Sequence, residues 1–301
     1  MFNRFLDYVE IRTKITSTFT FFMTIALLLY QKRTIDWKLS LLFFASMFLF
    51  DLTTTAINNY IDSKGNGQKL PFDRKTALIL VYVLLGLSIL TGLLLAWFTD
   101  IVILIAGGFC FLCGILYTYG PVPISRQPLG EVLSGAFYGI LIPFILFYIN
   151  APKGTYVLLS LNFNTVSFTL QVVPILSLLI YSVIPFCVTA NIMLANNICD
   201  MEKDILVKRH TLPYYIGRKS ALVLFALLYY MTYAAVIVMV IVKILSPVCL
   251  LSLLTIIAVQ GNINKFNKKQ EKSTTFILSI RNFIIIMGSN GILIFLSSFL
   301  R

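Results

Sequence analysis

Apolar residues run almost unbroken for about twenty positions at a time along this chain, and short clusters of charge separate the runs. They fall at 15–31, 37–57, 77–98, 101–118, 129–149, 171–195, 220–243, 246–260 and 276–299. Most approach the ~20 residues a helix needs to cross a hydrocarbon core, and 246–260 is the shortest. The pattern predicts nine membrane-spanning helices, with no soluble domain or long linker between them. Arg12 and Lys14 precede a first run without a small-residue cleavage site, so no cleavable signal peptide is expected.

Composition agrees. Of 301 residues 58% are hydrophobic and 12% charged, where a soluble domain carries about 25% charge. The net charge of +12 would suit nucleic acid if it were gathered on one surface, but it follows the loops instead. With the N-terminus inside, cytoplasmic segments hold Arg4, Arg12 and Lys14, then Lys64, Lys69, Arg74 and Lys75, then Arg126. They continue with Lys203, Lys208, Arg209, Arg218 and Lys219, then Lys265, Lys268, Lys269, Lys272 and Arg281, which makes eighteen of the 24 basic residues. That is a positive-inside bias, and it predicts a multi-pass protein of the plasma membrane with a cytoplasmic N-terminus. Cys110 and Cys113 have CxxC spacing but no second pair, and read as small buried hydrophobes. His210 is the only histidine, which argues against a His-ligated metal site.

One stretch departs from this greasiness. "NNICDMEKD" at 196–204 places three acids and two asparagines at the end of a hydrophobic run, and "NNYIDSKGN" at 58–66 echoes it. Downstream, "LPFDRKTAL" at 70–78 parallels "LPYYIGRKSAL" at 212–222, with two residues inserted in the second copy. The copies lie 138 and 144 residues apart. They close the second and sixth helices, so four spans separate them and both acidic ends emerge on one face, as in a parallel repeat. The expected fold is an all-α membrane bundle around a central cavity. It forms a single domain over 1–301, with pseudo-repeat units beginning near helices 2 and 6.

Asn196, Asp200 and Asp204 are spaced i, i+4, i+8, as are Asn58, Asp62 and Asn66. Each step advances about 6 Å along a helix with about 40° of rotation, so each set forms one ladder. Asp51 falls on the same stripe deeper in the second span, where a carboxylate costs about 2.5–3.5 kcal/mol and marks a functional candidate. Oxygen donors without histidine or cysteine suit Mg²⁺, which takes one or two carboxylates and fills its shell with water and phosphate. Lys69, Arg74, Lys208 and Arg209 stand close in sequence, ready to neutralise phosphate oxygens. Acids and bases together at a membrane surface describe a diphosphate clamp with a lipid-soluble tail behind it. The bland alternative is that these are solvated loop charges forming weak ion pairs.

At these motifs the sequence resembles the UbiA superfamily of intramembrane prenyltransferases, whose Asp-rich motifs read NxxxDxxxD and DxxxD. The second copy fits fully, and the first ends in Asn66 in place of an aspartate, with Asp51 or Asp73 as candidates to compensate. "LYTYGPVPISRQPLGEVLSG" at 116–135, "NNICDMEKD…KRHTLP" and "VEIRTK" at 9–14 resemble the 1,4-dihydroxy-2-naphthoate branch of menaquinone biosynthesis. The resemblance implies Mg²⁺-dependent transfer of a polyprenyl group from its diphosphate to an aromatic acceptor, with the naphthoate carboxylate lost as CO₂. It implies Asp200, Asp204, Asp62, Asn58 and Asn196 as the metal set. Other acceptors, such as 4-hydroxybenzoate or haem, and the different class of a multi-pass transporter, remain alternatives at this stage.

Several residues carry two readings. Tyr117 and Tyr119 either shield a carbocation or belong to an interfacial aromatic belt. Arg74 and Arg218 either contact the diphosphate or anchor helix starts. Arg12 and Lys14 either bind an acceptor carboxylate or serve as inside anchors. Glu131 either caps its helix or reaches the site, and Gly120-Pro121-Val122-Pro123 reads as a rigid turn.

Overall fold

The computed structural model describes residues 1–65, 69–120 and 123–300, with Lys64 and Gly65 as backbone only. Asn66 and the centre of the expected Gly120–Pro123 turn lie outside the described residues. Among those described, nine helices are long and apolar enough to cross a membrane. They are α1 (Ile11–Tyr30), α2 (Trp37–Ser63), α3 (Arg74–Phe98), α4 (Ile101–Thr118), α5 (Gly130–Ile149), α6 (Val172–Leu206), α7 (Leu212–Ile241), α8 (Pro247–Lys268) and α9 (Ile277–Ser297). This is a multi-pass membrane protein. The shortest apolar run spans because α8 opens as a 3₁₀ turn over Pro247–Thr255 and continues as α-helix to Lys268.

Local chemistry sets the ends. The Asp73 carboxylate accepts the Thr76 amide and starts α3, Asp100 caps α4 through Val102, and Ser246 caps α8 through Val248. Each cap satisfies an amide that the first turn leaves without a partner. The amide bond holds the Asp73 carboxyl below its ordinary range. Asp73 is therefore a helix cap. Lipid-facing surface is plain on α3 and α4, where Ile79, Leu90, Trp97, Ile105 and Phe109 are exposed.

The chain packs as two units, residues 1–18, 35–123 and 157–169 in one, and 19–34, 124–156 and 170–301 in the other. Each unit holds one copy of the repeated motif. The core of the first gathers Tyr8, Val9, Leu52, Ala56, Ala77, Val81 and Leu84. Its buried Tyr8 hydroxyl donates to the carbonyls of Ala56 and Ala77, fastening the N-terminal segment to α2 and α3. In the second unit α5 and α6 approach so closely that only glycine fits at 139. A Cβ there would overlap the backbone nitrogen of Phe186, and one at Gly135 would meet the Phe186 ring at 2.8 Å. The helix accommodates the contact with a π-turn over Phe137–Leu141, opposite Pro185 within α6.

Two features add detail to the all-α bundle and its repeat. A two-stranded hairpin, β1 (Val157–Leu161) and β2 (Val166–Leu170), stands between α5 and α6. The two-residue insertion in the second repeat becomes a kink at Gly217, whose φ of 77° breaks α7 into a first turn and a main helix. Glycine takes that conformation without the cost a Cβ brings. Arg218 thereby restarts the helix as Arg74 starts α3.

Candidate active site

α6 continues as helix eleven residues past the apolar run, to Leu206, so the second motif sits on regular turns. Asn196, Asp200 and Asp204 therefore share one face, as their spacing requires. The Lys272 ammonium lies in that ladder. It donates to Asn196 Oδ1 and to Asp200 Oδ2, the latter at 2.5 Å, and sits 5.2 Å from the centre of the Phe276 ring. Asp204 is buried one turn further on. Arg209 Nε stands 3.9 Å from Asp204 Oδ2, too far for a hydrogen bond. That oxygen is buried with no hydrogen-bond partner among the described residues. Native structures seldom bury a carboxylate oxygen without a hydrogen bond, and in this unit Glu131 Oε2 is in the same state.

Arg209 is held in place. Its Nε donates to the Ser125 carbonyl at 2.8 Å, and the His210 amide donates to Arg126 O. α6 ends by an unusual route, with Lys208 at φ 55° and the Arg209 amide returning to Asp204 O. The Lys208 side chain is exposed. Glu202, the third acid of the motif, leaves the ladder and pairs with Arg218 at 3.1 Å, mostly in solvent.

The second asparagine of each copy does a different job from the first. The Asn197 amide donates to Glu131 Oε1 at 2.9 Å, deep between α5 and α6. The Asn59 amide donates to Tyr8 O at 2.9 Å and Glu10 Oε1 at 3.2 Å. Glu10 precedes α1 and Glu131 opens α5, so in each copy a glutamate at the start of the preceding span holds the motif helix. Glu131 is thus a fastener of α6.

In the first unit Asn58 Oδ1 accepts the Thr118 hydroxyl, which brings the end of α4 against the motif. Asp62 is exposed near the end of α2. Arg74 lies over the Tyr60 ring at 4.6 Å and donates to Tyr60 O and Ser63 Oγ at 3.3 Å each. Arg74 and Arg218 therefore each reach back to the end of the preceding helix, the anchoring reading. Tyr117 is half-buried beside Thr118, whereas Tyr119 is 65% exposed, the setting of an interfacial aromatic. Arg12 and Lys69 are exposed.

Lys14 and Asp51 meet inside the first unit. Lys14 is 3% exposed, and its ammonium reaches Asp51 Oδ1 at 3.0 Å, Asp51 O at 2.9 Å and the Thr55 hydroxyl. Ser17 donates to the other Asp51 oxygen at 2.7 Å. The buried acid is thus paired with a lysine from the first span.

Among the described residues no three His, Cys, Asp or Glu side chains cluster as a metal cage. The α6 ladder nonetheless fits Mg²⁺, because its donors are an amide oxygen and two carboxylates, one with an orphaned oxygen, and a cationic group already rests among them.

Comparison with known proteins decides the family. The UbiA prenyltransferase family model matches residues 19–284. The chain belongs to that family. A relative in Bacillus subtilis (strain 168), 1,4-dihydroxy-2-naphthoate octaprenyltransferase, is 29% identical over 226 residues, 70% of this chain and 66% of that protein. The chain thus spans just under two thirds of that relative's length. Two solved UbiA homologues share the fold. The one from Archaeoglobus fulgidus bound to GPP and Mg²⁺ has a TM-score of 0.63 at 15% identity, covering 99% of this chain and 98% of its own. The apo homologue from Aeropyrum pernix K1 has a TM-score of 0.64 at 17% identity, covering 92% and 96%.

Proposed function

We propose that this UbiA-family protein transfers a polyprenyl group from its diphosphate to an aromatic acceptor, with 1,4-dihydroxy-2-naphthoate as the acceptor. The observation that carries the reading is the Asn196–Asp200–Asp204 ladder with the Lys272 ammonium lodged in it and Arg209 at its end. Oxygen donors around a cation, beside fixed guanidinium, suit a metal-bound diphosphate. The name of the Bacillus relative supports the acceptor, and the GPP and Mg²⁺ bound by the Archaeoglobus homologue support the donor and metal.

In this reading Asn196, Asp200 and Asp204 hold Mg²⁺. Bound there, Mg²⁺ supplies positive charge against the charge that develops on the departing diphosphate. Lys272 and Arg209 bind the diphosphate oxygens, with Lys208 and Lys69 as further cations on their loops. The C–O bond to diphosphate breaks, a ring carbon of the acceptor bonds to the prenyl carbon, and the ring carboxylate leaves as CO₂. Tyr117 offers a ring face to the allylic cation. Asn58 and Asp62 serve as oxygen donors to a metal-bound diphosphate, a role supported by the sequence repeat. We place both motifs on the cytoplasmic side of the cell membrane, from the eighteen of 24 basic residues that fall there.

The test is a choice of acceptors. Purified protein with Mg²⁺ and a prenyl diphosphate is offered 1,4-dihydroxy-2-naphthoate and 4-hydroxybenzoate together, and products are identified by mass. The expected product is the prenylated naphthalenediol lacking CO₂, abolished by EDTA. Product from the benzoate alone overturns the acceptor, and no product from either overturns the activity.

A further inference from the structure

At the opposite end of α6 from Asp200, the second unit contains a cavity of about 630 Å³. Pro174 at its wall and Asp200 lie 26 residues apart on one helix, about 39 Å at 1.5 Å per residue. It is therefore separate from the diphosphate site. It is open to the surroundings, Lys32, Arg33 and Lys243 line it as exposed side chains, and no acid does. Leu27, Phe147 and Ile244 give it an apolar wall.

The charge is out of proportion to its surroundings. Positive-inside topology leaves six basic residues for this side of the membrane, and three of them meet in one cavity. The side chains of Arg33 and Lys243 form no ion pair or hydrogen bond with other described residues. Helix dipoles do not account for the charge. The C-terminal ends of α1 and α7 bring about half a negative charge each, and the first turn of α6 returns about half a positive one. The cavity stays positive by more than two charges. Lys32 and Lys243 also hold left-handed backbone at φ 54° and 61°, just beyond the ends of α1 and α7. Glycine serves such caps without strain, so lysine at both is a choice of side chain over backbone comfort.

We propose that this cavity binds the phosphate of a net-anionic phospholipid from the membrane leaflet facing it. The three cations hold the headgroup, and the apolar wall takes the first part of an acyl chain. Free phosphate satisfies the cations but leaves the wall unused, and a zwitterionic headgroup brings an ammonium into a cavity without an acid.

Full-length protein purified in detergent is titrated with dioleoylphosphatidylglycerol, dioleoylphosphatidylcholine or sodium phosphate, and bound lipid is counted by native mass spectrometry. Wild type is expected to retain phosphatidylglycerol through gentle activation, with no retention of phosphatidylcholine and no displacement by sodium phosphate. Arg33→Gln/Lys243→Gln is expected to weaken retention by about tenfold or more, with each single change intermediate. Lys38→Gln/Lys153→Gln removes the same charge from exposed sites outside the cavity and is expected to stay within about twofold of wild type. Equal loss in the two double variants, equal retention of phosphatidylcholine, or displacement by sodium phosphate overturns the proposal.

Discussion

In the proposed reading Lys272 occupies the place of the metal, which makes its removal informative in a direction ordinary active-site mutations do not share. Its ammonium contacts Asp200 Oδ2 at 2.5 Å, with the two side chains 44% and 21% exposed. Unit charges about 4 Å apart attract by about 4 kcal/mol at an effective dielectric of 20. Solvent screening and side-chain ordering at such exposure bring the net value to about 1 kcal/mol. Mg²⁺ entering the ladder has to displace that contact. Lys272→Met is therefore expected to tighten Mg²⁺ binding by about fivefold in the absence of prenyl diphosphate. The same variant loses a cation for the diphosphate, so the KM for prenyl diphosphate is expected to rise. Isothermal titration of Mg²⁺ into purified protein, with Mn²⁺ paramagnetic resonance as a second probe, measures the first effect, and initial rates measure the other. Weaker or unchanged Mg²⁺ affinity in Lys272→Met refutes the claim that the ammonium and the metal share these oxygens.

Other consequences are more local. Lys14→Met leaves the Asp51 carboxylate buried without its cation, at a cost of about 3–5 kcal/mol, and Lys14→Met/Asp51→Leu is expected to recover most of it in thermal unfolding in detergent. A double variant no more stable than Lys14→Met contradicts the pairing. Gly139→Ala forces α5 away from Phe186 and is expected to cost at least about 1–3 kcal/mol, whereas alanine at Gly107, which has open space at its Cβ, is expected to be tolerated. Equal melting temperatures for the two argue against the close approach. Asp200→Ala is expected to lower turnover by on the order of 10²–10³-fold, with residual activity insensitive to EDTA if the ladder is the metal site.

Much of this was written in the sequence because lipid is a strict solvent. A span must be about twenty apolar residues long, so the nine runs located the nine membrane-length helices of the described residues, and the i, i+4, i+8 spacing placed three donors on one face of α6. What stayed hidden depends on contacts distant in the chain. Lys272, 68 residues beyond Asp204, reads in the sequence only as one more inside lysine. The pairing of Asp51 with Lys14, on another helix, is likewise not written in the spacing. The paired fasteners Glu10–Asn59 and Glu131–Asn197 carry the repeat beyond its motifs, yet each glutamate sits in a stretch that shares little else with the other. The hairpin did leave a signal, the alternating Val-Ser-Phe-Thr-Leu of β2. It lay between two long apolar runs, where period two is easily taken for the margin of a helix.

The central claim is that the Asn196–Asp200–Asp204 ladder holds Mg²⁺ for a bound diphosphate. A double-mutant cycle on donor binding tests it most directly, with the Kd for a prenyl diphosphate measured in Mg²⁺ for wild type, Asp200→Ala, Asp204→Ala and the double variant. A shared metal is expected to be strongly non-additive, the double variant binding hardly more weakly than the worse single. Losses that simply add, or an Asp204→Ala protein that binds as wild type does, contradict it.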